Sequence, residues 1–179
     1  MRRLVCQLTA GRLSISDAEP EDAFSLLSIY ESVLEEGRYF ITTPGEFRGT
    51  PDWQEKVIRQ LNHQDNSCFF VARLNREVIG AVFVRGGELI RMRHVGKLEI
   101  FLSAAGRGHG VGRRLMDAAL TWGREHPLIQ KIGLSVFADN ERAIGMYRSM
   151  GFVEEGRRLG EYRESEGTLR ADVLLSIAV

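Results

Sequence analysis

Features that would announce a specialised protein are scarce in this chain. Its 179 residues hold only two cysteines, Cys6 and Cys68, and neither has a partner at metal-ligand spacing. A disulfide framework and a cysteine-based metal centre are therefore not expected, and reduced cytoplasmic thiols are. The four histidines form no metal pattern either. Basic and acidic residues balance at 24 each, so the composition carries no general affinity for nucleic acid or an anionic membrane. No apolar run approaches the roughly 20 residues needed to span a bilayer. Met1-Arg2-Arg3 is basic, but the apolar stretch after it is too short and too polar for the core of a signal peptide. With no repeat, low-complexity stretch or linker, we expect a single domain over residues 1–179.

Two nucleotide-binding fingerprints are missing as well. Residues 107–112, Arg-Gly-His-Gly-Val-Gly, fail G-x-G-x-x-G because its third glycine position is Arg113, and no G-x-x-x-x-G-K-[ST] run exists. What is present is R-x-x-G-x-G on Arg107, Gly110 and Gly112, in an informative setting. Upstream, Lys97–Leu102 suits a strand. Downstream, Val111, Leu115, Ala118, Ala119 and Trp122 recur at helical spacing. Glycines at such a turn let an anionic ligand approach free backbone N–H groups at the positive end of the helix dipole. Arg113 and Arg114 occupy the first helical turn, where cations repel the dipole unless something negative lies between. That points to a phosphate, although a plain strand-to-helix connection is built of the same residues.

A second element comes about thirty residues on. Leu134–Phe137 reads as a strand, and Asp139 or Asn140 suits a helix N-cap. Ala143, Tyr147 and Met150 share a helix face, and Gly151 suits the left-handed position that ends a helix. The run V-x-x-x-N-x-x-A-x-x-x-Y-x-x-x-G-F, from Val136 to Phe152 and placed after R-x-x-G-x-G, resembles the GCN5-related N-acetyltransferase superfamily. The likeness covers residues 70–179 well and the N-terminal third in outline. Gly151–Arg158 and Arg170–Leu175 look like the subgroup related to ribosomal-protein and diamine acetyltransferases.

The remaining pattern reads as an α/β (α+β) chain with a mixed, mostly antiparallel sheet flanked by helices, the fold that the resemblance also implies. Leu13–Ile15 is a short strand, and a helix runs from Asp17 to about Leu34, capped by Ser16 or Asp17, with Ala23, Leu26, Leu27, Tyr30 and Leu34 inward. Residues 35–51 are irregular. Asp52 caps a helix to about Leu61 with Trp53, Val57, Ile58 and Leu61 on one side. Cys68–Leu74 and Val78–Val84 form a hairpin around Asn75-Arg76-Glu77, with Cys68 a buried strand residue. Pro127 ends the glycine-turn helix, and Phe152–Leu159 with Leu169–Ala178 make a terminal strand pair.

Acetyl transfer to an amine needs the amine neutral, although a free alkylamine has a pKa near 10.4, and needs the departing thiolate stabilised. The resemblance implies acetyl-CoA as coenzyme and no metal. The backbone of Ile100, Phe101 and Leu102 would hold the acetyl-pantetheine arm. Arg107, Gly108, His109, Gly110, Val111, Gly112 and Arg113 would hold the pyrophosphate, mostly through the N–H groups of residues 109–113. Asn140 and Ala143 would lie beside the pantetheine arm. Tyr147 matches the family tyrosine that often protonates the leaving sulfur, and Glu99 lies on the strand where members often place a base. From the residues alone, Tyr147 also fits a core tyrosine on a helix face and Asn140 a helix cap, and both roles can hold together. Alternation puts Lys97, Glu99 and Phe101 on one face, which either lines a cleft or is solvated surface. Lys97 or His94 could replace Glu99 in positioning a water, and His109 reads as a loop residue.

For the acceptor, Glu35, Glu36, Tyr39 and Phe40, with Glu154, Glu155, Glu161 and Asp172, set carboxylates beside aromatics. That suits a cationic small molecule such as a polyamine, amino acid or aminoglycoside, though any one carboxylate is as well explained by charged surface. A protein N-terminus or lysine as acceptor, and a non-catalytic acyl-CoA-binding module, are the alternatives. Family members are often dimers, but no surface feature of the sequence argues for a homodimer.

Overall fold

A computed structural model describes residues 4–179, and the Met1-Arg2-Arg3 start lies outside the described residues. In chain order the strands are β1 (Leu4–Leu8), β2 (Gly11–Asp17), β3 (Cys68–Leu74), β4 (Glu77–Gly86), β5 (Val95–Leu102), β6 (Lys131–Phe137), β7 (Val153–Arg163) and β8 (Leu169–Ala178). The helices are α1 (Ala23–Glu35), α2 (Pro51–His63), α3 (Val111–Glu125) and α4 (Glu141–Ser149). The strands form one sheet in the order β1-β2-β3-β4-β5-β6-β8-β7. Each neighbouring pair is antiparallel except β5–β6, where α3 makes the crossover that a parallel pair requires.

Two apolar layers hold the sheet. On one face, Val111, Leu115, Met116, Ala119 and Leu120 of α3 and Ile144 and Tyr147 of α4 pack on Leu98, Ile132, Leu134 and Val173. On the other, Leu26, Ile29 and Val33 of α1 and Ile58 and Leu61 of α2 pack on Phe69, Val71, Ala81 and Phe101. Alternation along β5 decides which layer each residue joins: Leu98, Ile100 and Leu102 belong to the α3 face, and Phe101 to the α1 face. The glycine-turn helix buries Met116 and Leu120 where the spacing predicts Ala118 and Trp122, and those two are only partly buried.

Several boundaries move from their sequence positions. Ser16 and Asp17 continue β2, opposite Val71 and Phe70 of β3, so neither caps a helix. Strand pairing prevails there, and α1 begins after a short 3-10 turn at Pro20–Asp22, where the Glu19 N–H donates to Asp22 Oδ2 at 2.8 Å. Helix α2 is capped by Thr50, whose hydroxyl accepts from the Trp53 N–H at 3.2 Å, with Pro51 and not Asp52 next in line. Trp53 lies outside the core against Phe47, and Gln54 is buried in its place. Strand β1 has no counterpart in the sequence pattern. The β3–β4 hairpin turns through Asn75 and Arg76 with φ of +49° and +81°, the paired positive φ of a two-residue turn matched to strand twist. Asn140 caps α4, and Gly151 at φ +96° lies just past its end.

Asp22 is buried, and Arg73 holds it with Nη2 at 2.7 and 2.6 Å while Nη1 donates to Ser16 Oγ at 2.7 Å. Removing the guanidinium would leave a carboxylate unpaired in a mostly dry place. Arg73→Ala is expected to cost about 2 kcal/mol, a loss of roughly 5 °C in Tm by calorimetry; an unchanged Tm would show the pair to be energetically neutral.

Candidate functional site

Strands β5 and β6 pair only from Val95–Lys97 to Lys131–Gly133. Beyond Gly133, β6 stays paired with β8 out to Phe137, and β5 stays paired with β4 out to Leu102. The two parallel strands therefore part, and the backbone edges of residues 98–102 and 134–137 face each other across a wedge. This split joins the two faces of the sheet.

Directly beyond the wedge lies the glycine turn. Gly108, His109 and Gly110 are exposed, and Gly110 sits at the N-cap of α3 with φ +73°, a left-handed position that favours glycine. Gly112 lets α3 approach the strand end: a Cβ there would lie 3.1 Å from Leu102 Cδ1. The Arg107 N–H donates to Ala104 O at 3.2 Å, and helical bonding resumes with Arg114 N–H to Gly110 O at 3.2 Å. In between, the N–H groups of residues 108–113 find no acceptor among the described residues. Such a row of open donors at a helix start is able to receive an anion. The flanking side chains are turned elsewhere. Arg107 donates to Leu102 O at 3.2 and 2.8 Å and to Glu36 Oε2 at 2.6 Å, Arg113 to Ser149 Oγ at 2.9 Å, and Arg114 to Cys6 Sγ at 3.2 Å.

On the α3 face of the wedge stands Tyr147, 7% exposed, with its ring 5.7 Å from that of Phe152. Burial pushes its phenol up to about 12. The hydroxyl has no hydrogen-bond partner among the described residues and is not fully enclosed. The Asn140 side chain accepts from the Ala143 N–H at 3.3 Å, the capping role read from its position.

On the α1 face stands Glu99, reached by solvent yet crowded. Burial raises its carboxyl above the usual range, and the positive charge of Arg85 pulls the other way. Tyr30 of α1 is its neighbour. Burial raises that phenol first, the charge of Glu99 adds to the rise, and the Thr42 hydroxyl opposes it. Tyr30 also gathers the aromatic lining: its ring lies 5.2 Å from Phe40 and 5.5 Å from Phe101. The segment after α1 folds over this side as a roof. Arg170 pins it, donating to Arg38 O at 2.6 Å, Glu164 Oε1 at 2.8 Å and both Asp139 oxygens at 2.7 and 2.9 Å, while lying 4.0 Å over the Phe137 ring. His94 and Lys97 are exposed.

Most carboxylates that the sequence offers to a cationic acceptor are already engaged. Glu36 pairs with Arg107, Glu154 with Arg148 and Arg157, Glu155 with Lys131, and Glu161 with Arg158. Asp172 is fully buried, with its Oδ2 taken by Arg158 and Tyr162. The cation pairing depends on β-strand register, which the sequence pattern does not fix. Tyr30, Arg170 and the strand split also escape sequence reasoning. Tyr30 counts there only as part of a helix face, and Arg170 only as part of the terminal strand run that carries the subgroup likeness.

One mixed sheet with a parting parallel pair, helices on both faces and a helix start with free donors beside the parting define the class, an α/β acetyltransferase-like fold. Within that class, residues 27–152 match the acetyltransferase (GNAT) family, and the chain belongs to it. Acetyl-CoA is the family's acyl donor. Spermidine N(1)-acetyltransferase of Escherichia coli K12 is 30% identical over 129 residues, covering 70% of this chain and 64% of the relative. The chain thus spans just under two thirds of the length of that relative. An acetyltransferase of the GNAT family from Streptococcus pneumoniae superposes with a TM-score of 0.89 at 26% identity, covering 93% of this chain and 99% of the other. The yncA protein of Salmonella typhimurium, solved with its cofactor acetyl-CoA, shares the fold with a TM-score of 0.84 at 14% identity, over 93% of each chain.

Proposed function

We propose that this chain is an acetyl-CoA-dependent N-acetyltransferase acting on a primary amine of a small molecule, by direct attack in a ternary complex. The observation that carries the reading is the β5–β6 split, and it is supported by the unengaged N–H groups at the start of α3, by Tyr147 in the layer on the α3 face and by Glu99 on the opposite face of β5. Bound acetyl-CoA supplies an acetyl group activated as a thioester. Residues 108–113 fit its pyrophosphate, because a row of unengaged N–H groups at the positive end of a helix favours an anion. Ile100, Phe101 and Leu102 on the edge of β5, with Asn140 and Ala143 at the start of α4, would hold the pantetheine arm.

Glu99 takes the proton from the ammonium, directly or through water, and a raised carboxyl is the better base for it. Tyr147 holds its proton throughout the neutral range and donates a hydrogen bond as charge grows on the departing sulfur. Full transfer from a phenol at about 12 to a thiolate of about 8.5 would run uphill by roughly 5 kcal/mol, so hydrogen bonding is its main contribution. A binding-only module would need neither group. No helix among the described residues is long and apolar enough to cross a membrane. Cys6 and Cys68 are free thiols, and we assign the enzyme to the cytoplasm.

The assignment of Glu99 has a pH signature. A base must be unprotonated, so kcat/KM falls as pH drops through its pKa, and the upward shift moves that limb above the ordinary glutamate range. Glu99→Gln should lower kcat/KM at least tenfold and erase the limb. A variant with wild-type rate and an unchanged profile would transfer the role to water positioned by another group.

A further inference from the structure

The roof over the α1 face is fastened differently to the two sides of the split. Toward β5 it is held by packing. Phe40 and Phe47 stand 5.2 and 5.0 Å from the Tyr30 ring, which lies 5.5 Å from Phe101, and the Thr42 hydroxyl bonds the Tyr30 phenol. Glu99, the proposed base on β5, is near enough for its charge to act on Tyr30. Toward β6 and β8 the roof stands off. One cavity between them is lined by Phe40, Thr42, Phe137 and Tyr162, and a second, open one by Tyr39, Glu164, Thr168 and Arg170. Tyr39 approaches Phe137 at 6.3 Å between ring centroids. Among the described residues, the one hydrogen bond from residues 37–49 to this side is accepted by the Arg38 carbonyl from Arg170 Nη1 at 2.6 Å.

Arg170 is fixed in direction to hold that bond. Its guanidinium lies 4.0 Å over the Phe137 ring and 5.6 Å from that of Tyr39. Nη1 also donates to Glu164, and Nη2 to both oxygens of Asp139, so the fork is satisfied on three sides and its charge is balanced. A lysine carries its charge on one nitrogen at the end of a flexible stem and cannot reproduce this planar set. Asp139 and Glu164 are 63% and 35% exposed in their side chains, so water hydrates them when the guanidinium is replaced, and the fold is not at stake.

We propose that Arg170 is a positioning residue for the acceptor: by tying the roof to the β6–β8 side of the split, it sets the closure of the amine site over Glu99. The inference rests on the reading of the chain as an N-acetyltransferase. Arg170 acts through the roof, and among the described residues it makes no hydrogen bond or ion pair with the glycine turn at residues 108–113. Its loss therefore falls on the amine and not on acetyl-CoA.

The test uses the full chain with acetyl-CoA and whichever of glycinamide, leucinamide, putrescine and spermidine the wild-type protein turns over fastest. Arg170→Lys should raise the KM for that amine at least fivefold, lower kcat less than threefold, and leave the Kd for acetyl-CoA within twofold by calorimetry. Asp139→Asn and Glu164→Gln keep the bond to the roof, and each should leave the amine KM within twofold. A second readout needs no activity. The Arg38 carbonyl belongs to the peptide bond that trypsin cuts, and a bond held in a closed segment is cut only after local opening. Cleavage after Arg38, followed by mass, should be at least fivefold faster in Arg170→Lys than in the wild-type protein. An unchanged amine KM in Arg170→Lys, beside normal wild-type turnover, overturns the proposal alone. So does an Asp139→Asn variant that raises the KM as much, since the effect would then pass through the start of α4. Cleavage at the wild-type rate removes the tether itself. If the wild-type protein turns over none of the four amines and binds no acetyl-CoA, the acetyltransferase reading has failed, and the role for the acceptor fails with it.

Discussion

Gly110→Asp is expected to abolish acetyl-CoA binding. The residue begins α3 at φ +73°, exposed, among N–H groups that find no acceptor of their own. A carboxylate placed there would face the pyrophosphate at hydrogen-bond range. Two like charges about 4 Å apart in a partly screened site repel by about 4 kcal/mol, on the order of a thousandfold in Kd. Gly110→Asp also forces a side chain into a left-handed backbone, so a folding defect could mimic lost binding. His109→Asp separates the two, because His109 is exposed and its backbone is not left-handed. Both variants should lose binding by calorimetry, and His109→Asp should keep the wild-type Tm while His109→Asn retains most of the affinity. A folded His109→Asp protein with normal affinity would move the phosphate site away from this turn.

Tyr147→Phe is expected to lower kcat by ten- to a hundredfold with little change in KM for acetyl-CoA. The deletion leaves the ring and its packing on Phe152 intact and removes a single hydroxyl that bonds nothing among the described residues. A hydrogen bond to a developing anion is worth about 1.5–3 kcal/mol, and it is made mainly in the transition state, so the loss belongs in kcat. With the phenol at about 12, the wild-type profile should show no alkaline limb from this group below pH 10. Equal rates for the wild-type protein and the Tyr147→Phe variant would leave this residue a core tyrosine only.

The parts of the fold legible in the sequence are those governed by local rules. The glycine turn, the Asn140 cap with Gly151 after the helix end, and the Asn75-Arg76 hairpin each depend on a few adjacent residues with special backbone or capping chemistry. Alternation along β5 separates Glu99 and Phe101 from Leu98 and Ile100 for the same reason. Pairing is non-local, and what depends on it is not legible. Ser16 and Asp17 have good capping side chains, but opposite β3 they are strand residues. Trp53 suits a core by size, yet the α2 face that meets the sheet is set by Ile58 and Leu61. The β5–β6 split leaves no mark on composition or period at all. Nor does the sequence sort the acidic residues into open and engaged, since that depends on which arginine the register of β7 and β8 sets opposite Asp172 and which loops Arg170 reaches.

The most direct test of the acetyltransferase reading is amine-dependent release of free thiol from acetyl-CoA by the intact chain, measured across a panel of simple amines. Turnover that requires both substrates and is lost on Gly110→Asp is the predicted result. Tight acetyl-CoA binding with no turnover of any amine would contradict it.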